Sequence, residues 1–250
     1  MKRILEFLGY LAVIATLLGV SASTLMTDAY KAWVAVLLVA ATVVFICVQI
    51  FRITKRQMEM QHPSGFLALS AFVRYASTDG KNITYEVFRH IQVKRPCLSY
   101  FEHKFMWTGS TPPKCESDLQ EIGSVDSIKG ESTKAVKLKF KRAKVFNDVE
   151  VIHLKMTMDD SDQKSETFVQ QSVNSPVSVI NFRVDLLYAD AKYFGNKATL
   201  SRKETEKGHR AADEVIGQYS FDASAKSYHC SVAEPEPGYT YRLSWDRPQV

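Results

Sequence analysis

Apolar positions follow two regimes along this chain, continuous near the start and alternating from about residue 66 onward. Residues 7–26 and 32–51 are each 20 residues long and carry no charge. At about 1.5 Å of rise per residue, each reaches roughly 30 Å, the thickness of a bilayer's hydrocarbon core. A buried helix of a soluble protein is the plain alternative, but a core helix of this length keeps a polar stripe. The first stretch, with Met1-Lys2-Arg3 ahead of it and Ser21-Ala22-Ser23 near its end, also fits a cleaved secretory signal. A second span after a connection of only residues 27–31 favours a two-helix transmembrane hairpin over residues 1–56, with spans at 7–26 and 32–51. Residues 52–61 are expected to prolong the second helix until His62-Pro63-Ser64-Gly65 breaks it, which makes 57–65 a juxtamembrane linker.

From Phe66 the dominant period is two. Tyr239, Tyr241, Leu243 and Trp245 alternate with Thr240, Arg242 and Ser244. Tyr228, Cys230 and Val232 do the same just upstream, so residues 227–245 read as a C-terminal β-hairpin turning through Glu234-Pro-Glu-Pro-Gly238. The same alternation places Val136, Leu138 and Phe140 on one face of a strand. Ile152, Leu154, Met156 and Met158 share a second strand face; Ile180, Phe182, Val184 and Leu186 share a third. Phe101, His103, Phe105 and Trp107 share a face, and 67–76 and 83–94 read as extended. The charged stretch 196–216 reads as a mobile loop or a short surface helix. Seven or eight strands predict a membrane-anchored, mainly β protein, its residues 66–250 forming a cytoplasmic antiparallel β-sandwich or β-barrel.

Charge sharpens the topology. Lys2, Arg3, Arg52, Lys55 and Arg56 flank the outer ends of the expected hairpin, against Lys31 and Asp28 in its loop, so both termini are expected on the cytoplasmic side of a multi-pass inner-membrane protein. Residues 1–56 hold six of the 32 basic and two of the 27 acidic residues, a net of +4 out of +5 for the chain. The basicity therefore sits at the membrane boundary, and the nearly neutral β region is not built to coat nucleic acid. Ala15, Gly19 and Ser23 recur every fourth residue, a small-residue face suited to close helix packing, either within the hairpin or in self-association. Beyond the lipid bilayer, the expected partners are further copies of the chain, a cyclic nucleotide or a protein.

Candidate chemistry is sparse. The chain has no phosphate-binding glycine loop, no nucleophile elbow, no His-Glu-x-x-His and no dinucleotide fingerprint, and its six His lack metal-ligand spacing. Asp159-Asp160-Ser161-Asp162 reads as a solvated turn rather than a calcium loop. Cys47, Cys97, Cys115 and Cys230 show no zinc or disulfide pattern, so no metal and no cofactor is expected and nothing supports an enzyme. One pattern stands out: Lys137, Lys139 and Lys141 project from one face of a strand at about 7 Å intervals, with Arg142 and Lys144 beyond. Such a row binds phosphate oxygens or an anionic leaflet, with Trp107 a stacking candidate, unless it only keeps an exposed or edge strand soluble.

Two membrane helices with a minimal loop, followed by a cytoplasmic β-rich domain without a catalytic motif, make a layout similar to the two-transmembrane β-rich effectors of bacterial anti-phage signalling. The likeness is one of layout over the whole chain and carries over no binding residue. It implies a β domain that senses a cyclic oligonucleotide and helices that then assemble to disrupt the membrane. Two classes of function follow. The first is a ligand-gated membrane effector. The second is a membrane-tethered interaction module whose helices only anchor it.

Overall fold

The computed structural model describes residue 9 and residues 29–127, 133–205 and 212–249, which divide into two compact units at Met60 and Gln61. The first unit is described from Ala29 as one helix, α1 (Ala29–Gln61), unbroken through 33 residues. Its apolar side chains are presented outward, Leu37 at 66% and Val39 at 63% exposure. Such a surface is unfavourable in water and favourable in lipid. Arg52, Lys55 and Arg56 lie in its last third, and Lys55 pairs with Glu59 at 3.9 Å.

This architecture corrects the expected hairpin. Among the described residues a single helix has the length and composition to cross a membrane, and a two-helix, multi-pass arrangement is not what they show. The span expected at 7–26 lies outside the described residues, apart from Gly9. So do Lys2, Arg3, Ala15, Ser23 and Gly19.

The second unit is mainly β, with thirteen described strands, β1 to β13 in chain order, in three sheets. The largest has the order β12 (Ser227–Ala233), β9 (Val179–Leu186), β1 (Phe66–Ser77), β2 (Asn82–Val93), β7 (Val149–Asp159) and β4 (Lys114–Glu116). A four-stranded sheet follows β11 (Glu214–Ser220), β10 (Lys197–Glu204), β13 (Tyr239–Ser244), β8 (Phe168–Val173), and a three-stranded one β3 (Cys97–Met106), β6 (Thr133–Val145), β5 (Glu121–Ser127). Three sheets replace the single sandwich or barrel, and β1 runs parallel to β9, so the large sheet is mixed rather than antiparallel.

Both smaller sheets cover the same face of the large one. Under the four-stranded sheet lie Val73, Ile180, Phe182, Val184 and Tyr228, packed against Leu200, Tyr241 and Leu243. Under the three-stranded sheet lie Ile91, Ile152, Leu154 and Met156, packed against Phe101, Val136 and Leu138. On β2 these residues share one parity: Ile83 and Val87 belong to the first core, Ile91 and Val93 to the second. The two covering sheets therefore stand side by side on one floor.

The two C-terminal strands form where expected but not as a hairpin. β12 pairs with β9, while β13 pairs with β10 and β8, and residues 234–238 carry the chain from one sheet to the other. Gly238 takes a φ of 88° in that connection, which suits a residue without Cβ. The stretch read as a loop or surface helix is instead largely β10 and β11, with Ala198 and Leu200 in the core. The acidic turn after β7 is not wholly solvated either: Asp160 is buried and held by Arg247 at 2.7 Å.

At the outer edge of β7 a side chain replaces a strand. β4 pairs with β7 only as far as Lys155, and beyond it the Gln120 amide takes over. Its Nε2 donates to the Val151 carbonyl at 2.8 Å and its Oε1 accepts from the His153 N–H at 2.9 Å. Gln120→Ala leaves both backbone groups without partners, so unfolding in urea should show a loss of roughly 1–3 kcal/mol. An unchanged midpoint would mean that water replaces the amide without loss.

Candidate functional site

Because the covering sheets do not join, a cleft of about 990 Å³ opens between β3 of one and β8 of the other. That is near the upper end of the range for small-ligand cavities, about 300–1,000 Å³. Tyr85 and Arg89 of β2 and Met156 and Met158 of β7 lie along the floor, Phe101, Phe105 and Trp107 along one wall, and Phe168 and Gln171 along the other.

Arg89 is the charged group on the floor of this cleft, whose border also carries Arg95, Glu102, Lys104, Glu166 and Lys203. It occupies an inward position of β2, between Val87 and Ile91, where the pattern calls for an apolar residue. Its Nη2 donates to Gln171 Oε1 at 2.6 Å, and its guanidinium lies over the Phe101 ring, 5.6 Å from the centroid. Its Nε is enclosed and has no partner, and no described carboxylate pairs with it. Burial pushes the guanidinium down to about 10, still cationic at neutral pH, and pushes the Tyr85 phenol up to about 12. The site thus holds an uncompensated cation, a neutral phenol and aromatic walls. Its floor is suited to an anionic group, while Cys97, Glu102 and Glu166 also border the cleft.

His103 lies behind the β3 wall, buried, with its Nε2 unpartnered. Burial and then the charge of Arg89 hold its pKa well below the usual 6.5. Among the described residues no three His, Cys, Asp or Glu side chains gather as a metal would require. The four cysteines are free thiols, and burial pushes Cys230 up to about 12.

The lysine row lies elsewhere. β6 is the central strand of its sheet, not an edge. Lys137 pairs with Asp126 at 3.5 Å and stands opposite Glu102, while Lys139 stands opposite Glu121. After Lys139 the even spacing ends, because the β3 ladder jumps from Lys139 to Lys144 and leaves Lys141 and Arg142 in the skipped segment. Lys144 pairs with Glu150 and lies 5.9 Å from the Phe140 ring centroid. None of these cations borders the cleft. Trp107 does: its Nε1 donates to the Thr111 carbonyl at 2.7 Å. Gly109 permits that pose, since a Cβ there would fall 2.2 Å from the ring.

Arg89 was missed in the sequence reading although it left a signal. In Ile83, Tyr85, Val87, Arg89, Ile91, Val93 it is the charged member of an otherwise inward-facing set. Gln171 gave no comparable signal, because the pairing of its strand was not visible.

No protein-family model and no curated protein matches the chain. Among solved structures, an M1 zinc metallopeptidase from Deinococcus radiodurans is similar at 7% identity and a TM-score of 0.40, over 72% of this chain and 42% of that one. Baculovirus P35 is similar at 9% identity and a TM-score of 0.33, over 73% of this chain and 98% of that one. This chain thus spans about two fifths of the metallopeptidase, and likenesses at these TM-scores carry no argument about its fold or chemistry.

The buried His103 gives the unit a pH dependence of known sign. Its pKa is lower in the folded state, so below about pH 6.5 the unfolded chain binds the extra proton and stability falls with acidification. Between pH 6.5 and 5 the wild type should lose up to about 1.4 kcal/mol per pH unit more than His103→Leu. Parallel denaturation curves for the two proteins across that range would show that His103 does not titrate this way.

Proposed function

We propose that the chain is a membrane-tethered receptor: α1 holds it at a bilayer, and the β unit captures an anionic ligand on Arg89. The observation carrying this reading is a cationic guanidinium on the floor of a large cleft, with an enclosed Nε that no described residue satisfies. A buried donor left unpaired costs about 1–3 kcal/mol, so an incoming carboxylate or phosphate oxygen gains both the ion pair and relief of that penalty. Ligand capture is the input, and a change of packing or assembly at the membrane is the output. Arg52, Lys55 and Arg56 at the C-terminal end of α1, against Lys31 at the other, support a cytoplasmic side of the inner membrane for the β unit. The tethered interaction module is the second reading, favoured by the unpaired strand edges along the cleft.

Two measurements test the reading. Fluorine NMR titration of the full chain in lipid nanodiscs with para-fluorobenzoate should show saturable binding, weakened about tenfold or more by Arg89→Met. Lys137→Glu with Lys139→Glu should leave that affinity unchanged. The reverse result would move the anion site to the lysine row. Separately, the expressed full-length chain should stay in the membrane pellet after an alkaline carbonate wash. Recovery in the supernatant, or as a shortened chain lacking α1, would remove the tether from the proposal.

A further inference from the structure

The two walls of the cleft are both sheet edges. β3 is hydrogen-bonded on one side to β6, and β8 on one side to β13. Their other sides border the cavity. Residues 97–102 and 104–108 on one wall, and 168–172 on the other, contribute to its lining. A strand that showed a cavity its face would contribute every second residue; consecutive residues mark an exposed backbone edge. The described residues form no ladder that closes either edge.

Directions are also set. Thr108, just beyond β3, accepts through its Oγ1 from the Glu166 N–H, just ahead of β8, at 2.8 Å. The end of β3 thus meets the start of β8, and the two edges run oppositely along the cleft. One extended chain between them would pair antiparallel with one and parallel with the other. It would join the separate covering sheets into one layer of eight strands, counting the guest, over the six-stranded floor.

We propose that the cleft takes an extended acidic peptide as that missing strand, with a carboxylate side chain directed down onto Arg89. This rests on the reading of Arg89 as an anion anchor and names the ligand class. At about 3.3 Å per residue, the six residues of β8 match a guest of roughly six residues. Alternate side chains of the guest face the floor, where Tyr85, Met156 and Met158 offer apolar contact and Arg89 offers charge. Main-chain bonds to both edges supply affinity without regard to sequence, and the position over Arg89 supplies selection for Asp or Glu. A cyclic nucleotide would use the anion site but would leave both backbone edges unpaired.

The test is selection of a displayed random octapeptide library on the full chain in lipid nanodiscs, followed by synthetic peptides. Enriched peptides should share one Asp or Glu, with β-branched or aromatic residues two positions to either side. In the synthetic peptide, exchanging that acid for its amide should weaken binding about tenfold or more, and N-methylation at alternate residues should abolish it. Both changes are made in the peptide, so the result does not depend on the folding of a variant. Arg89→Gln should remove the acid-to-amide difference, while Arg89→Lys keeps part of it. Failure to enrich any peptide, or binding indifferent to N-methylation, overturns strand insertion. If para-fluorobenzoate still binds through Arg89 in that case, the anion site stands and only the peptide falls. Displacement of para-fluorobenzoate by cyclic di-adenylate but by no selected peptide overturns the peptide in favour of a nucleotide. If neither fluorobenzoate nor peptide binds, both readings fall.

Discussion

One constraint organises the β unit: a six-stranded sheet with an apolar face wider than either sheet that covers it. Burial of that face is the main source of stability, at about 25 cal/mol for each Å² removed from water. Two covers standing side by side achieve most of it. The four-stranded sheet covers β12, β9, β1 and the Ile83–Val87 part of β2 with Met158 of β7, and the three-stranded sheet covers the rest of β2 and β7, each with its own core. The cleft is what this division leaves over. Its floor continues the same inward-facing rows, with Ile152 opposite Arg89 and Met156 opposite Tyr85, which is why a charged residue there stands out.

Arg89 is tolerated at this position because the surroundings compensate partly. Gln171 satisfies one of its nitrogens and the Phe101 ring takes up one face of the guanidinium. The opposite face of the same sheet handles its charges differently. There Arg183 and Arg74 both bind Asp185 at 2.8 Å, so opposite charges meet, and Glu86 Oε1 lies 3.0 Å from His153 Nε2. The outer face thus pairs its charges, whereas Arg89 inside the cleft has no described carboxylate partner.

Much of the fold was legible from alternation, because a strand half-buried on one face writes its burial into its own sequence. Ile180, Phe182, Val184 and Leu186 were recognisable for that reason. Pairing was not legible, since alternation says which face is buried and nothing about the neighbour. β12 and β13 alternate well and are adjacent in sequence, yet they belong to different sheets. β10 was lost because its inward residues, Ala198, Leu200 and Ser201, are small or polar for the most part. The lysines of β6 looked like a free cationic row for the same reason: Asp126 pairs with Lys137, and Glu102 and Glu121 stand opposite Lys137 and Lys139 on the neighbouring strands. On the helical side, composition alone marked 32–51 as a membrane segment, but it could not separate one span from two.

The amide of Gln120 shows how little is needed to finish a sheet. A primary amide has a donor and an acceptor at nearly the spacing of a peptide group, so one side chain presents to β7 what another length of backbone would. Sealed in this way, the border of the large sheet offers no template on which a second molecule could grow, and fibrous assembly through β7 is blocked at that point. Asparagine carries the same amide on a stem shorter by about 1.5 Å, too far back to span both bonds. The difference between a closed border and a sticky one is here a single methylene.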